Sequence, residues 1–156
     1  MVADEMNTAS LASVSATPFW PNRIVSVCAA LSTTLTTMPA PFAASEAITF
    51  AAKQGLDIRK VYEVITASAG NSWMFENRMP HVLDGDYAPR SAVEIFVKDL
   101  GIIQDMARTA RFPVPVAAAA LQMFLATAAA GMGRDDDASV ARLYARITGT
   151  KLPGEK

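Results

Sequence analysis

The sequence predicts an all-α fold, and three observations carry the prediction. Twenty-nine of the 156 residues are alanine, the strongest helix former. From Ala43 onward apolar residues recur at the i, i+3, i+4, i+7 spacing of one helix face. No stretch alternates apolar and polar residues as a half-buried strand does, and no repeat period is visible.

Residues 1–42 stand apart as a Ser/Thr/Pro-containing segment. They hold eleven Ser/Thr and three charged residues (Asp4, Glu5 and Arg23), with Pro18, Pro21, Pro39 and Pro41 interrupting any long helix. The first helix is expected from Ala43, with Ala44, Ala47, Ile48 and Ala51 on its inner face and Gly55 as a left-handed stop. Asp57 is placed to N-cap a second helix lined by Ile58, Val61, Tyr62 and Ile65. Ser72 to Met79 reads as a short helix closed by Pro80, and His81 to Arg90, with Asp84, Gly85, Asp86 and Pro89, as a loop. A longer helix is expected from Val93 to Ala110. Pro113 and Pro115 on one side, Gly131 and Gly133 on the other, bracket an alanine-rich buried helix. The charged turn Gly131 to Asp137 offers its last aspartate as cap for a final helix. Val140, Leu143, Tyr144 and Ile147 line that helix, Arg142 and Arg146 complement its dipole, and Gly149 ends it.

Composition narrows the function classes. With 51% apolar and 19% charged residues the chain has the makings of one globular core, away from the regime of disorder. Fourteen basic residues against fifteen acidic give net charge −1, so no electrostatic drive toward nucleic acid or an anionic membrane is expected. A single cysteine, Cys28, and a single histidine, His81, exclude an internal disulfide and a Cys/His zinc site. Both are expected in ordinary surface or core roles, and a cytoplasmic setting fits. The start of the chain lacks the early Lys/Arg of a secretory signal. The uncharged stretch between Arg111 and Arg134 is long enough for a bilayer. Its alanine content and its start and stop signals favour a buried helix instead.

The helix near residue 98 carries the most informative pattern. If Phe96, Leu100, Ile103, Ala107 and Ala110 form the buried stripe, then Lys98, Gly101, Ile102 and Asp105 gather on the opposite face. A glycine inside a helix costs about 1 kcal/mol relative to alanine, and it often marks close approach by a ligand or another backbone. A solvated Lys/Asp face is the plainer reading of the same residues.

The stretch Lys98-Asp99-Leu100-Gly101-Ile102-Ile103-Gln104-Asp105 resembles the KDLGxAxD cofactor motif of the β-hydroxyacid dehydrogenases, the family of 3-hydroxyisobutyrate dehydrogenase, with Ile103 in place of the motif's alanine. The segments Ala69 to Met79, Asp84 to Tyr87 and Pro89 to Val93 are similar to its L-threonate dehydrogenase branch, and the resemblance covers residues 43–156. It implies the helical C-terminal domain of the 6-phosphogluconate and 3-hydroxyisobutyrate dehydrogenases, which completes a site begun on a Rossmann domain. It further implies NAD as cofactor, with NADP left open, a small hydroxy acid as substrate, and a homo-oligomer. Lys98, Phe96, Gly101 and Asp105 are then expected toward the cofactor. Asn71, Ser72 and Trp73 are expected toward the substrate, at a helix start whose free N–H groups suit a carboxylate. The plainer reading of those three is a capped helix start with a buried indole, and core packing is the plainer reading of Phe96.

The family's catalytic lysine aligns near Ala30, where this sequence has none; its first lysine is Lys53. No G-x-G-x-x-G dinucleotide loop occurs either. The expectation is a truncated or frame-shifted chain whose residues 1–42 are not dehydrogenase sequence and which is inactive alone. A helical oligomerisation module without catalysis is the alternative.

Overall fold

A computed structural model of the chain describes residues 34–154, and Cys28 and Ala30 lie outside them. From Ala40 onward the described residues form six α-helices in order: α1 (Ala40–Lys53), α2 (Ile58–Thr66), α3 (Trp73–Asp84), α4 (Val93–Ala110), α5 (Pro115–Thr127) and α6 (Val140–Thr148). A π-helical turn, Ala128–Met132, extends α5, and a 3-10 turn, Asp137–Ser139, leads into α6. No strand occurs among the described residues, only one isolated bridge between Ala92 and Asp136. The all-α expectation holds.

The elements form because local signals and burial agree. Asp57 caps α2 as expected, its carboxylate accepting from the Arg59 and Lys60 amides at 3.0 and 3.4 Å. The stops at Gly55 and Gly149 are left-handed, with φ 79° and 65°. Helix α4 runs from Val93 to Ala110 as expected, although Ala110 at its end is exposed.

The apolar residues segregate into two clusters. In one, α1, α3 and α6 meet through Ile48, Phe75, Met79, Val82, Ala141 and Ala145, with the partly buried face of α2 against them. In the other, α4 and α5 pack through Phe96, Leu100, Ala120 and Phe124, joined by Val140.

Five expectations need correction. Proline did not delay the first helix to Ala43: it begins at Ala40 with Pro41 in its first turn, where a missing N–H costs nothing. Its inner face takes Ser45 and Thr49 as well as Ala44, Ile48 and Ala51, while Ala47 is exposed. Pro80 does not close α3, which continues through His81 to Asp84. The proline has no N–H for the Glu76 carbonyl, and the Tyr62 hydroxyl of α2 donates to that carbonyl instead, at 3.1 Å. The turn before α6 is capped by Asp136, whose side chain accepts from the Ala138 amide, and Asp137 is buried. On α6 itself, Ala141 and Ala145 are buried with Val140 and Leu143, whereas Ile147 is 66% exposed.

The alanine-rich helix is only half buried. Ala117, Ala120, Phe124 and Thr127 face α4 and the core, while Val116 and Leu125 face outward. Pro115–Met132 is long and apolar enough to cross a membrane by length and composition, with 28% of that stretch buried. After α3, Gly85 turns the chain in a left-handed conformation, and the tail passes directly over it. A Cβ at Gly85 would stand 2.7 Å from the Gly154 nitrogen, and one at Gly154 would stand 2.6 Å from the Gly85 oxygen.

Candidate functional site

Helix α4 is amphipathic with a difference. Val93, Phe96, Leu100, Ile103 and Ala107 are buried against α5 and the core. The opposite side presents Lys98, Gly101, Ile102 and Asp105, as the spacing predicts, with Ile95 and Met106 also exposed beside them. A side chain built at Gly101 would meet nothing within 4 Å, so the helix backbone there is open to an incoming group. The Lys98 ammonium rests 3.0 Å from the Asp99 carboxylate with two-thirds of its side chain exposed, and Asp105 pairs with Arg108 at 2.9 Å, both side chains largely exposed. Surface pairs of this kind contribute no more than about 1 kcal/mol, so a ligand can displace either at small cost.

Phe96 belongs elsewhere. It is 1% exposed and stacks on Phe124 with ring centroids 4.7 Å apart, so it forms the floor of α4 instead of a wall facing a cofactor.

The second group of expected residues sits at the start of α3. Ser72 is the N-cap, its hydroxyl accepting from the Phe75 amide at 3.0 Å. Trp73 is 66% exposed, which overturns the buried indole. The Asn71 side-chain oxygen is buried without a hydrogen-bond partner, and a cavity of about 260 Å³ between α1 and the α3 start reaches Gly70 and Ser72. Met74, directly after Trp73, packs in the same cluster as Val93, Phe96 and Leu100. The core beneath Lys98 thus also anchors the first turn of α3.

A buried polar network, which periodicity does not reveal, lies behind both groups. His81 of α3 bonds through Nδ1 to Asp136 Oδ1 at 2.9 Å, and Arg78 one turn earlier donates through Nε to Asp137 Oδ2 at 2.9 Å. Asp136 also accepts from the Arg90 and Ala138 amides, at 3.0 and 3.1 Å. Burial pushes the Asp136 carboxyl up, but the Arg90 amide, the His81 ring and the Ala138 amide together outweigh it and hold the group below its ordinary value. Asp137 has no such set of donors. Burial pushes it up to about 7 against the Arg78 hydrogen bond, and the neighbouring Asp136 charge adds to the rise. His81 keeps the core role expected of it. Arg142 is not simply a dipole partner: it meets Asp135 at 2.7 Å and lies over the Tyr87 ring.

A further cavity of about 550 Å³, between α1 and α6, is lined by Phe42, Glu46, Phe50, Lys53 and Tyr144 among others and contains none of the expected residues. Tyr144 donates to Glu46 at 2.6 Å there, and burial followed by that carboxylate raises its hydroxyl above the ordinary range. Among the described residues no group of three or more His, Cys, Asp or Glu is placed to hold a metal ion.

The described residues form an all-α unit that turns a lysine and an unobstructed helical glycine outward on α4 and carries an exposed indole at the capped start of α3. The chain belongs to the family described as NAD-binding of NADP-dependent 3-hydroxyisobutyrate dehydrogenase, whose model matches residues 35–144. It is 52% identical over 114 residues to L-threonate dehydrogenase of Escherichia coli (strain K12), a match covering 73% of this chain and 37% of that protein. With L-threonate dehydrogenase of Cupriavidus necator it shares 53% over 113 residues, 72% of this chain and 37% of the relative. The crystal structure of 3-hydroxyisobutyrate dehydrogenase from Salmonella typhimurium superposes with a TM-score of 0.73 at 49% identity, over 74% of this chain and 41% of that one. The chain therefore spans little more than a third of the length of these curated relatives.

Proposed function

We propose that the chain supplies the helical, substrate- and cofactor-completing part of an NAD-dependent 3-hydroxyacid dehydrogenase of the L-threonate type. The observation that carries this reading is the outward Lys98 face of α4, with open space over Gly101. The Lys98 ammonium donates to a ribose or substrate hydroxyl, Gly101 admits the ligand to the helix backbone, and Asp105 keeps the face polar. Asn71, Ser72 and Trp73 receive the substrate carboxylate at the α3 N-terminus, where backbone N–H groups and the helix dipole favour an anion. When bound, the dinucleotide supplies hydride transfer at the carbinol carbon. The family's catalytic lysine aligns near Ala30, where the sequence has no lysine, so the chain alone is inactive and works only beside a dinucleotide-binding Rossmann half.

NADH formation from L-threonate at saturating NAD tests this directly. The purified chain alone gives none. Addition of the separately expressed N-terminal part of the Escherichia coli relative restores turnover, and Lys98→Ala in this chain abolishes most of the gain. Turnover by the chain alone, or reconstitution indifferent to Lys98→Ala, sinks the reading.

A second reading, a helical association module, is favoured by the outward apolar residues Phe112, Val116 and Leu125 around α5. Sedimentation decides it: a strictly monomeric chain removes this role.

A further inference from the structure

Helix α4 begins without a side-chain cap, because its N-cap is Ala92. Its first amides are satisfied instead by a distant loop: Val93 donates to the Asp135 carbonyl and Glu94 to the Gly133 carbonyl, both at 3.0 Å. The loop lies against the helix start so closely that a Cβ on Gly133 would stand 2.8 Å from the Glu94 carboxylate. Asp136, one residue beyond the capping carbonyl of Asp135, pairs with Ala92 through the backbone, and its carboxylate accepts from the Arg90 and Ala138 amides, so it grips both the loop and the segment entering α4. The group that holds this carboxylate from the other side is His81, on α3.

We propose that His81 and Asp136 are positioning residues for the Lys98 face: their buried hydrogen bond fixes the loop that caps α4 and so ties the α4 start to α3. Lys98 stands about 7.5 Å along the axis from Val93, within the turns whose place the cap sets. The same histidine sits on the helix whose first turn carries Ser72 and Trp73, so one hydrogen bond links the two ligand-facing groups. Its consequence for ligand rests on the function proposed above; its consequence for the chain does not.

Amide hydrogen exchange of the full chain, followed residue by residue, tests the mechanical half. His81→Leu removes the ring donor at similar bulk. His81→Asn keeps a side-chain N–H near the place of Nδ1. Exchange at Val93 and Glu94 is expected to accelerate at least about tenfold in His81→Leu, the scale of a lost hydrogen bond to a charged group, while Phe124 in α5 is unchanged. His81→Asn restores protection. Unchanged exchange at Val93 and Glu94, acceleration spread evenly into α5, or failure of His81→Asn to rescue overturns the proposal. If His81→Leu does not fold, His81→Met, which also lacks a ring donor, takes its place against His81→Asn with the same expectation.

The ligand half is read by NADH affinity in the reconstituted enzyme, which His81→Leu weakens and His81→Asn restores. If Lys98→Ala weakens NADH binding but His81→Leu does not, the positioning role is wrong. If Lys98→Ala leaves NADH binding untouched while Val93 and Glu94 respond as expected, the function assigned to Lys98 is wrong and the cap stands.

Discussion

The Tyr62 hydroxyl makes a bond that the sequence of its own helix gives no reason to expect, and its worth can be worked out. It donates at 3.1 Å to the Glu76 carbonyl, the acceptor that Pro80 cannot serve. The bond is solvent-accessible, so it belongs in the lower half of the usual net range, about 0.5–1 kcal/mol. Tyr62→Phe removes the hydroxyl and keeps the ring, which stacks on Phe75 at a centroid distance of 5.8 Å. With an m-value of about 2 kcal/mol/M the urea midpoint falls by about 0.25–0.5 M. Pro80→Ala changes the accounting, since a backbone N–H then reaches the same carbonyl and the hydroxyl becomes redundant. Tyr62→Phe in that background should therefore be nearly silent, leaving a coupling of about 0.5 kcal/mol or more in the double-mutant cycle. Equal losses in the two backgrounds would refute the idea that Tyr62 substitutes for the missing donor.

Other outcomes follow from burial and charge. Phe96→Ala should cost about 3–5 kcal/mol in chemical denaturation, as for a core aromatic; near-parental stability would return Phe96 to the ligand face. Asp137 gives a pH signature. Its folded pKa of about 7 lies above its ordinary 3.8, so the folded chain holds a proton that the unfolded chain releases between those values. The stability this group contributes is complete below its ordinary value, declines as pH rises by at most about 1.4 kcal/mol per pH unit, and levels off above about 7. Asp136, held below its ordinary value, acts in the opposite sense and at lower pH. Asp137→Asn should therefore gain Tm relative to the parent chain between about pH 5 and pH 7, and parallel curves would contradict the assignment.

What could be read from residues alone was local. Asp57 announces α2 because an N-cap acts within three residues, and α4 emerges from its own apolar spacing at both ends. The Lys98 face was legible for the same reason: it is the complement of a buried stripe. Pro80 misled because its rescue comes from Tyr62, on another helix, and Pro41 because a first-turn proline reads like a breaker until the helix start is known. The partnership of His81 with Asp136 spans 55 positions, and nothing in either residue's neighbours signals it. A buried indole is the plainer reading of Trp73, and α5 is expected inside, both on hydrophobicity. The exposure of Trp73 and of the outer face of α5 shows that an apolar residue in a sequence does not say whether its own chain will cover it.

The crossing of Gly85 and Gly154 ties the tail to the turn after α3: two backbones touch there with no side chain between them, which requires the left-handed shape of Gly85. The expected order of folding puts docking of the tail after completion of α3. A fluorescent label at Lys151, which is exposed, would turn it into a kinetic signal trailing helix formation, and Gly85→Ala would leave that late phase without an amplitude while the earlier one survives.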